Sequence, residues 1–566
     1  MLLMPKDGEN DNIIHSDTEC MRDVPIGNDD FMSIRDDDGY YVDKTKLIED
    51  ILGSRNTKVF LFTRPRRFGK TLNLSMLDAF FNLEYKGKAE KWFAGLKVSE
   101  RKDLMAVANQ DPVIFISLKD LDTKDFGQFL RDYSAKFQEV CLGFEYLRKW
   151  DTDSELKEKF ELLYRGKADL AGLKRSIRDL SMALEAFHGR KVIVLIDEYD
   201  NPINGSYGRA VQEDILDFMK GLMSNSLKTN KSLRFGVVTG VMQIAKESIF
   251  SGINNLYVDN VLSTEFDEEY GFTEDEVKEM LSYYGHPEKM DEVKEWYDGY
   301  RFGDADIYNP WSLLNYISRN FTPAPYWAGT SGNDILDTLV ENADENTWQE
   351  LIDLGNGCTI SHYIEPTITM DDIGEGGESI YSVLVMSGYL NAIESDGLYD
   401  LSIPNNEMRG VYLKFLSKGM GTGADVYFRR VFDAMREGDV GNVETTLFDL
   451  LAKKIPFFAI SKESDYQKIL AVAAMCTQGK YVTTMEEESG NGRVDIKMVS
   501  KTSKYPHIVM ELKKTDSNDP DIWSKEADDA IAQIREKKYH HGLSGKVLLY
   551  GICFHGKEAK VVMEEA

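Results

Sequence analysis

The stretch FLFTRPRRFGKTLNLSMLDAFF, residues 60–81, sets an apolar strand, a short basic loop and a helical pattern in immediate succession. Its centre matches the end of the phosphate-loop signature GxxxxGK(S/T), in which a glycine-rich turn between a buried strand and a helix lets backbone N–H groups cradle phosphates. Gly69, Lys70 and Thr71 fill their places, but Arg64 stands where the first glycine belongs. Each residue can be judged by its task. Lys70 supplies a point charge for the β- and γ-phosphates, Thr71 offers a hydroxyl to Mg²⁺, and Gly69 allows close backbone approach at the helix N-terminus. The missing glycine makes turning harder. Pro65 helps to fix the loop, and Arg66 and Arg67 add positive charge beside the expected phosphates. The alternative is a chance GKT tripeptide opening an amphipathic helix, with the arginines solvated.

A second stretch weighs against chance. In KVIVLIDEYDNPI, residues 191–203, an apolar strand ends in Asp197 and Glu198. A carboxylate at the C-terminal edge of such a strand supports Mg²⁺, and the next one can orient and deprotonate an attacking water. A third strand, RFGVVTG at 234–240, ends in Thr239, which reads equally as a γ-phosphate sensor and as a turn-capping residue. Together with VFLFT and VIFISL these runs alternate with helical patterns between Asp43 and about Ser263, the signature of an α/β domain with a mainly parallel sheet covered on both faces.

The chain as a whole has 566 residues, 42% hydrophobic and 29% charged, an ordinary globular composition long enough for about three or four domains. No apolar run reaches the ~18 residues of a membrane span. The N-terminal twenty residues lack a basic region followed by an apolar one, so an acidic mobile tail over 1–22 and a cytoplasmic, membrane-free protein are expected. Five scattered cysteines argue against both a disulfide framework and a CxxC metal site. The net charge of −29 opposes broad attraction to a nucleic-acid backbone, but it is unevenly spread. Residues 451–566 hold 18 Lys and Arg against 17 Asp and Glu, whereas the preceding 450 hold 49 against 79. The end of the chain can still hold a local phosphate-binding surface, although a balance of +1 is far from the strongly basic footprint of a typical DNA-binding domain.

After the ATPase-like pattern, which is expected over 23–320, residues 321–454 read as a helical region. In it YSVLVMSGYLNAIESDGLYDLSIPNNEMRGVYLKFL has the helix–hairpin–helix order of a winged-helix-like unit. Residues 455–566 read as a separate small α/β domain. There GRVDIKMVSKTSKYPHIVMELKK, residues 492–514, places Asp495 on one strand and, after fifteen intervening residues, Glu511 and then Lys513 on the next. Side chains alternate along a strand, so Glu511 and Lys513 share a face. Two carboxylates beside a lysine can hold Mg²⁺ near a scissile phosphate and activate water. Standing alone, the same pattern also describes an exposed hairpin with ordinary surface charges.

The chain resembles the bacterial AAA-ATPase-like proteins that carry a C-terminal PD-(D/E)xK nuclease-like domain. The resemblance runs through YYVDKTKLI, TRPRRFGKT, LIDEYDNPI, VTGVMQIAKESIFSGINNL, WYDGYRFG, YNPWSLL, SGYL and IPNNE. It implies that RPRRFGKT is the family's own form of the phosphate loop, with ATP as ligand, and that residues 455–566 form a restriction-endonuclease-like fold. It further implies that Glu463 assists the metal bound by Asp495 and Glu511, and that Gln533 braces the site. Three positions depart from relatives: Gln243 replaces a basic residue, Val494 the motif's proline and Gln467 a histidine. Arg66 or Arg67 could serve as an arginine finger in cis, the alternative being one from another subunit of a homo-oligomer. The expected function is Mg²⁺-dependent ATP binding and hydrolysis coupled to cleavage of DNA or RNA. Its rival is a nucleotide-controlled sensor or scaffold whose last domain binds a partner without cutting.

Overall fold

Side chains alternate across a strand, and the Val59–Thr63 run supplies apolar residues to both faces: Val59 and Leu61 enter one buried cluster, Phe60 and Phe62 another. In the computed structural model of the chain this strand lies in a five-stranded sheet ordered Val113–Ser117, Val192–Asp197, Leu233–Gly240, Val59–Thr63, Leu256–Asp259. Every neighbouring pair is parallel. Helices Phe126–Leu142, Ser176–His188 and Gln212–Met223 cover the face of Val59 and Leu61. Helix Lys70–Phe81 covers the other. The described residues are 21–54, 56–150, 155–244, 250, 255–327, 345–368, 379–416, 424–454, 462–477, 480–489 and 492–566. Most of the expected acidic tail, with Cys20, and the IAKESIFSGIN part of one family stretch thus lie largely outside them.

The four apolar runs read as strands are all strands. The fifth, Leu256–Asp259, is four residues long and only its last residue is fully buried, so no continuous apolar run announces it. Because Leu233–Gly240 lies between Val59–Thr63 and Val192–Asp197, the loop after the first strand and the Asp197 end of the third open on the same edge of the sheet.

The middle of the chain is mostly helical. Helix Ser379–Met386, the hairpin Asn391–Ser395 with Leu398–Ser402, and helix Asn406–Leu416 follow in the order the sequence suggests. An earlier strand, Ile360–His362, adds to the hairpin and makes it a three-stranded sheet. Gln243 lies in a two-residue strand paired with Thr367–Ile368, so it ties the first sheet's loops to this region.

The last sheet has the order Tyr481–Ser489, Gly492–Ser500, His507–Lys514, Val547–His555, Glu558–Glu565. Its one parallel pair, His507–Lys514 with Val547–His555, requires a crossover, and helix Pro520–Lys537 provides it. Val494 is fully buried against this helix's Ile531 and Ile534, so it serves packing. One apolar cluster runs from Phe62 through Tyr389 and Leu401 to Ile496 and Met510, joining all three regions. Among the described residues no helix is long and apolar enough to cross a membrane. Among the described residues Cys141, Cys358, Cys476 and Cys553 form no disulfide.

Candidate functional site

The loop of residues 64–69 turns through two left-handed residues, Arg67 with φ +70° and Gly69 with φ +84°. Gly69 caps helix Lys70–Phe81 in a conformation that a side chain would strain. Arg64 does not face the loop's open side. Its guanidinium is fully buried, bonded to the Asp259 carboxylate and, at 2.9 Å, to the Phe266 carbonyl, with the rings of Tyr270 and Phe302 5.1 and 5.3 Å away. The residue in the first-glycine position thus fastens the loop to the end of the Leu256–Asp259 strand. Arg66 and Arg67 are exposed, and Arg67 lies 4.3 Å over the Trp311 ring.

Lys70 Nζ donates to the carbonyls of Arg64 and Pro65, each at 2.8 Å. Burial lowers its pKa, against the opposing pull of Glu198, Asp200 and Asp197. Thr71 Oγ1 donates to Asp197 Oδ2 at 2.9 Å, and Thr239 Oγ1 donates to Asp197 Oδ1 at 2.5 Å. Three strands and one helix therefore converge on one buried carboxylate, with Ser117 Oγ also 3.5 Å from Oδ2. Thr239 is fully buried behind Asp197 with its hydroxyl committed there, and it acts as a buttress. Glu198 is half-buried and adopts a left-handed backbone conformation, φ +50°, that a non-glycine residue seldom takes. Burial, then the charge of Asp197, raises its pKa. A hydroxyl beside a carboxylate is an oxygen donor set that suits Mg²⁺.

The loop is braced from the middle of the chain. Trp327 Nε1 donates to the Arg66 carbonyl at 3.0 Å, and Phe68 packs against Tyr300 and Phe302 with ring centroids 5.1 Å apart. Gly388, with φ +82°, lies where a Cβ would stand 2.8 Å from Pro65. Trp327 is itself held by Glu407, whose carboxylate accepts from the Trp327 backbone N–H at 2.5 Å and from Ser312 Oγ at 2.7 Å. Stretches that are distant in sequence, WYDGYRFG, YNPWSLL, SGYL and IPNNE, meet around the back of one loop.

In the last sheet, Asp495 and Glu511 lie next to one another on paired strands, one step beyond the Ile496–Met510 partners. Asp495 Oδ2 accepts from the Leu512 backbone N–H at 2.6 Å. Glu511 Oε1 accepts from Lys513 Nζ at 3.2 Å and from Gln533 Nε2, while Gln533 Oε1 accepts from Lys513 Nζ at 2.9 Å. Glu511 Oε2 is buried and has no hydrogen-bond partner. Burial first, and Asp495 second, raise the Glu511 pKa to about 7. Burial depresses the Lys513 ammonium, but Glu511, Asp495 and Glu463 outweigh it and leave its pKa above the ordinary value. The orphaned Glu511 oxygen beside a second carboxylate fits a divalent cation. Glu463 does not join them: it is exposed and accepts from the Lys514 backbone N–H at 3.1 Å. Among the described residues no three His, Cys, Asp or Glu side chains gather as a metal site.

Several contributors were not singled out by sequence. Asp200 is buried and accepts from the backbone N–H groups of Val241 and Met242, at 2.9 and 3.2 Å, fixing the turn after Thr239. Its one signal is a third acid in DEYD. Gln467, noted only as a departure, donates to the Asp495 carbonyl at 3.0 Å and so holds that strand. Asp259 and Trp327 carry no local signal.

Residues 25–250 match the family described as "Predicted AAA-ATPase", and residues 461–564 match the PD-(D/E)XK nuclease superfamily. A protein of Azotobacter chroococcum mcd 1, described as an uncharacterized protein in the vnfD 5' region, is 26% identical over 561 residues, which is 95% of this chain and 98% of that one.

Proposed function

For a chain that joins an AAA-ATPase-like region to a C-terminal domain of the PD-(D/E)XK nuclease superfamily, we propose Mg²⁺-dependent ATP hydrolysis that controls a metal-dependent phosphodiesterase acting on nucleic acid. The observation that carries it is the convergence of Thr71, Asp197 and Thr239 beside Lys70 and Glu198. Lys70 exchanges its two carbonyl partners for β- and γ-phosphate oxygens, with Arg66 and Arg67 adding positive charge at the loop's exposed rim. Thr71 and Asp197 would hold Mg²⁺, which neutralises charge developing on the phosphates. Glu198, its pKa raised, takes a proton from the attacking water as the bond to the bridging oxygen breaks, giving ADP and phosphate.

In the last domain Asp495 and Glu511 would hold a divalent cation, which supplies Lewis-acid activation of a phosphate. Lys513 orients water and offsets negative charge, and Gln533 fixes the lysine and Glu511 relative to each other. Coupling is supported by the bracing of Arg66 by Trp327 and of Pro65 by Gly388, because movement of the loop must be felt where these residues pack on the middle region.

One observation favours the scaffold reading: among the described residues of the last domain no third carboxylate gathers with Asp495 and Glu511, since Glu463 accepts from the Lys514 backbone instead. The deciding experiment incubates the purified chain with single- and double-stranded DNA and RNA, with Mg²⁺ or Mn²⁺, with and without ATP, beside Asp495→Ala and Glu198→Gln. Cleavage lost in Asp495→Ala is expected, and cleavage that responds to ATP in the wild type alone establishes coupling. No cleavage in any condition, with assembly state changing on ATP, would leave the scaffold.

A further inference from the structure

A cavity of about 520 Å³ lies between helix Asn406–Leu416 and the end of the last sheet farthest from Asp495. It is lined by three cations, Arg409, Lys480 and Lys501, and one carboxylate, Glu295. Lys480 and Lys501 flank the paired strand ends Tyr481 and Ser500, and the Lys501 backbone N–H donates to the Lys480 carbonyl at 3.0 Å. Arg409 faces them from the helix. Its Nη1 donates to the Gly355 carbonyl at 2.8 Å, while its Nε is buried without a partner. Among the described residues no ion pair joins any of the three cations to a carboxylate, and Glu295, in the same lining, accepts from Asn406 Nδ2 at 3.2 Å.

A half-buried guanidinium without an ion-pair partner is costly, and burial accordingly lowers the Arg409 pKa, as burial and the nearness of Arg409 lower that of Lys501 against the weaker opposing pull of Glu295. Cations kept in this arrangement fit a ligand with at least two negative charges, and the volume falls in the range of small-molecule sites, roughly 300–1,000 Å³. We propose that this cavity binds a small phosphorylated anion carrying two or more phosphates, which bridges helix Asn406–Leu416 to the last sheet. Lys501 is six residues from Asp495 along an extended strand, about 20 Å. The site is therefore separate from the carboxylate pair, and a nucleic-acid strand lying at Asp495 has no need to cross the cavity. The bridge would act two residues from Glu407, the group that holds Trp327 against the phosphate loop. The proposal does not depend on the ATPase reading.

The test measures equilibrium binding of radiolabelled pyrophosphate to the full chain carrying Lys70→Ala, which silences the phosphate loop, with and without Lys480→Gln and Lys501→Gln. Both lysines lie at the rim, so the variants should keep the circular dichroism spectrum. Loss of the two charges is expected to weaken binding about tenfold or more. Displacement of pyrophosphate by ATP would identify a nucleotide as the natural source of the phosphates, and failure to displace it a smaller polyphosphate. Affinity unchanged by the two substitutions, or no pyrophosphate binding at all, overturns the proposal. So does binding of a single-stranded oligonucleotide that needs the same lysines while pyrophosphate does not compete, because the surface would then be a nucleic-acid track.

Discussion

Two lysines stand at the centres of the two candidate sites in opposite electrical settings. Lys70 donates to neutral loop carbonyls and burial lowers its pKa, whereas Lys513 donates to Glu511 and the neighbouring carboxylates raise its pKa. The carboxylates differ in the complementary way. Asp197 has both oxygens engaged by hydroxyl donors, while Glu511 keeps one buried oxygen without a partner. The first site is a preformed cradle whose cation seeks an anion. The second is an excess of negative charge that seeks a cation. Nucleotide and metal are thus the expected visitors at the two places.

The largest expected effect breaks the comparison at the second lysine. Lys513→Ala should lower metal-dependent cleavage by about 10²–10³-fold, the usual cost of removing one preorganised group that stabilises developing negative charge, as read by single-turnover cleavage of a labelled oligonucleotide. Retained cleavage would reduce Lys513 to a surface charge held by Gln533.

The next sharpens what a raised carboxyl means. Burial raises Glu407 to about 7, as it does Glu511, yet both Glu407 oxygens accept hydrogen bonds. A perturbed value alone therefore does not mark a catalytic group. The folded carboxyl is more basic than its ordinary value of 4.5, so the folded state holds the proton more tightly. Its contribution is complete below pH 4.5 and is lost as pH rises through about 7. Glu407→Gln should accordingly match the wild type in thermal stability near the lower value and exceed it above the upper one, by at most roughly 3 kcal/mol. Equal melting curves at alkaline pH would contradict the burial argument.

Lys70→Ala should weaken ATP about 100-fold by removing a buried charge-assisted contact, measured by displacement of a fluorescent analogue. The smallest effect tests the brace. Trp327→Phe deletes the bond to the Arg66 carbonyl and should cost about 1 kcal/mol of stability, with a smaller ATP-induced rise in melting temperature than in wild type. If the rise is undiminished, the loop and the middle region are not linked through this residue.

Much of the fold is legible because its signals are local. Four buried strands announce themselves as continuous apolar runs, and helix, hairpin and helix appear in order between 379 and 416. The short edge strand Leu256–Asp259 and the strand Ile360–His362 do not, since three or four partly buried residues carry no periodicity. At the sites, the residue types are legible and their partners are not. Glu463 illustrates the limit: its place at the start of a helix is clear, yet the helix sets it against the Lys514 backbone.

Legible from sequence alone are the four continuous apolar strands of the first sheet, the helix that Lys70 and Thr71 open after a buried strand, and the shared face of Glu511 and Lys513, because each depends only on the geometry of a few neighbouring residues. Tertiary structure alone decided that Thr71 reaches Asp197 across 126 positions, and that Arg64 turns inward to an aspartate 195 positions away. It also decided that Trp327, Gly388 and Tyr300 meet behind one loop. Hydropathy patterning encodes which face of an element is buried but not which element buries it. That choice follows from strand order and from packing of the whole core, where the arginine in the first-glycine position finds a carboxylate, a carbonyl and two rings.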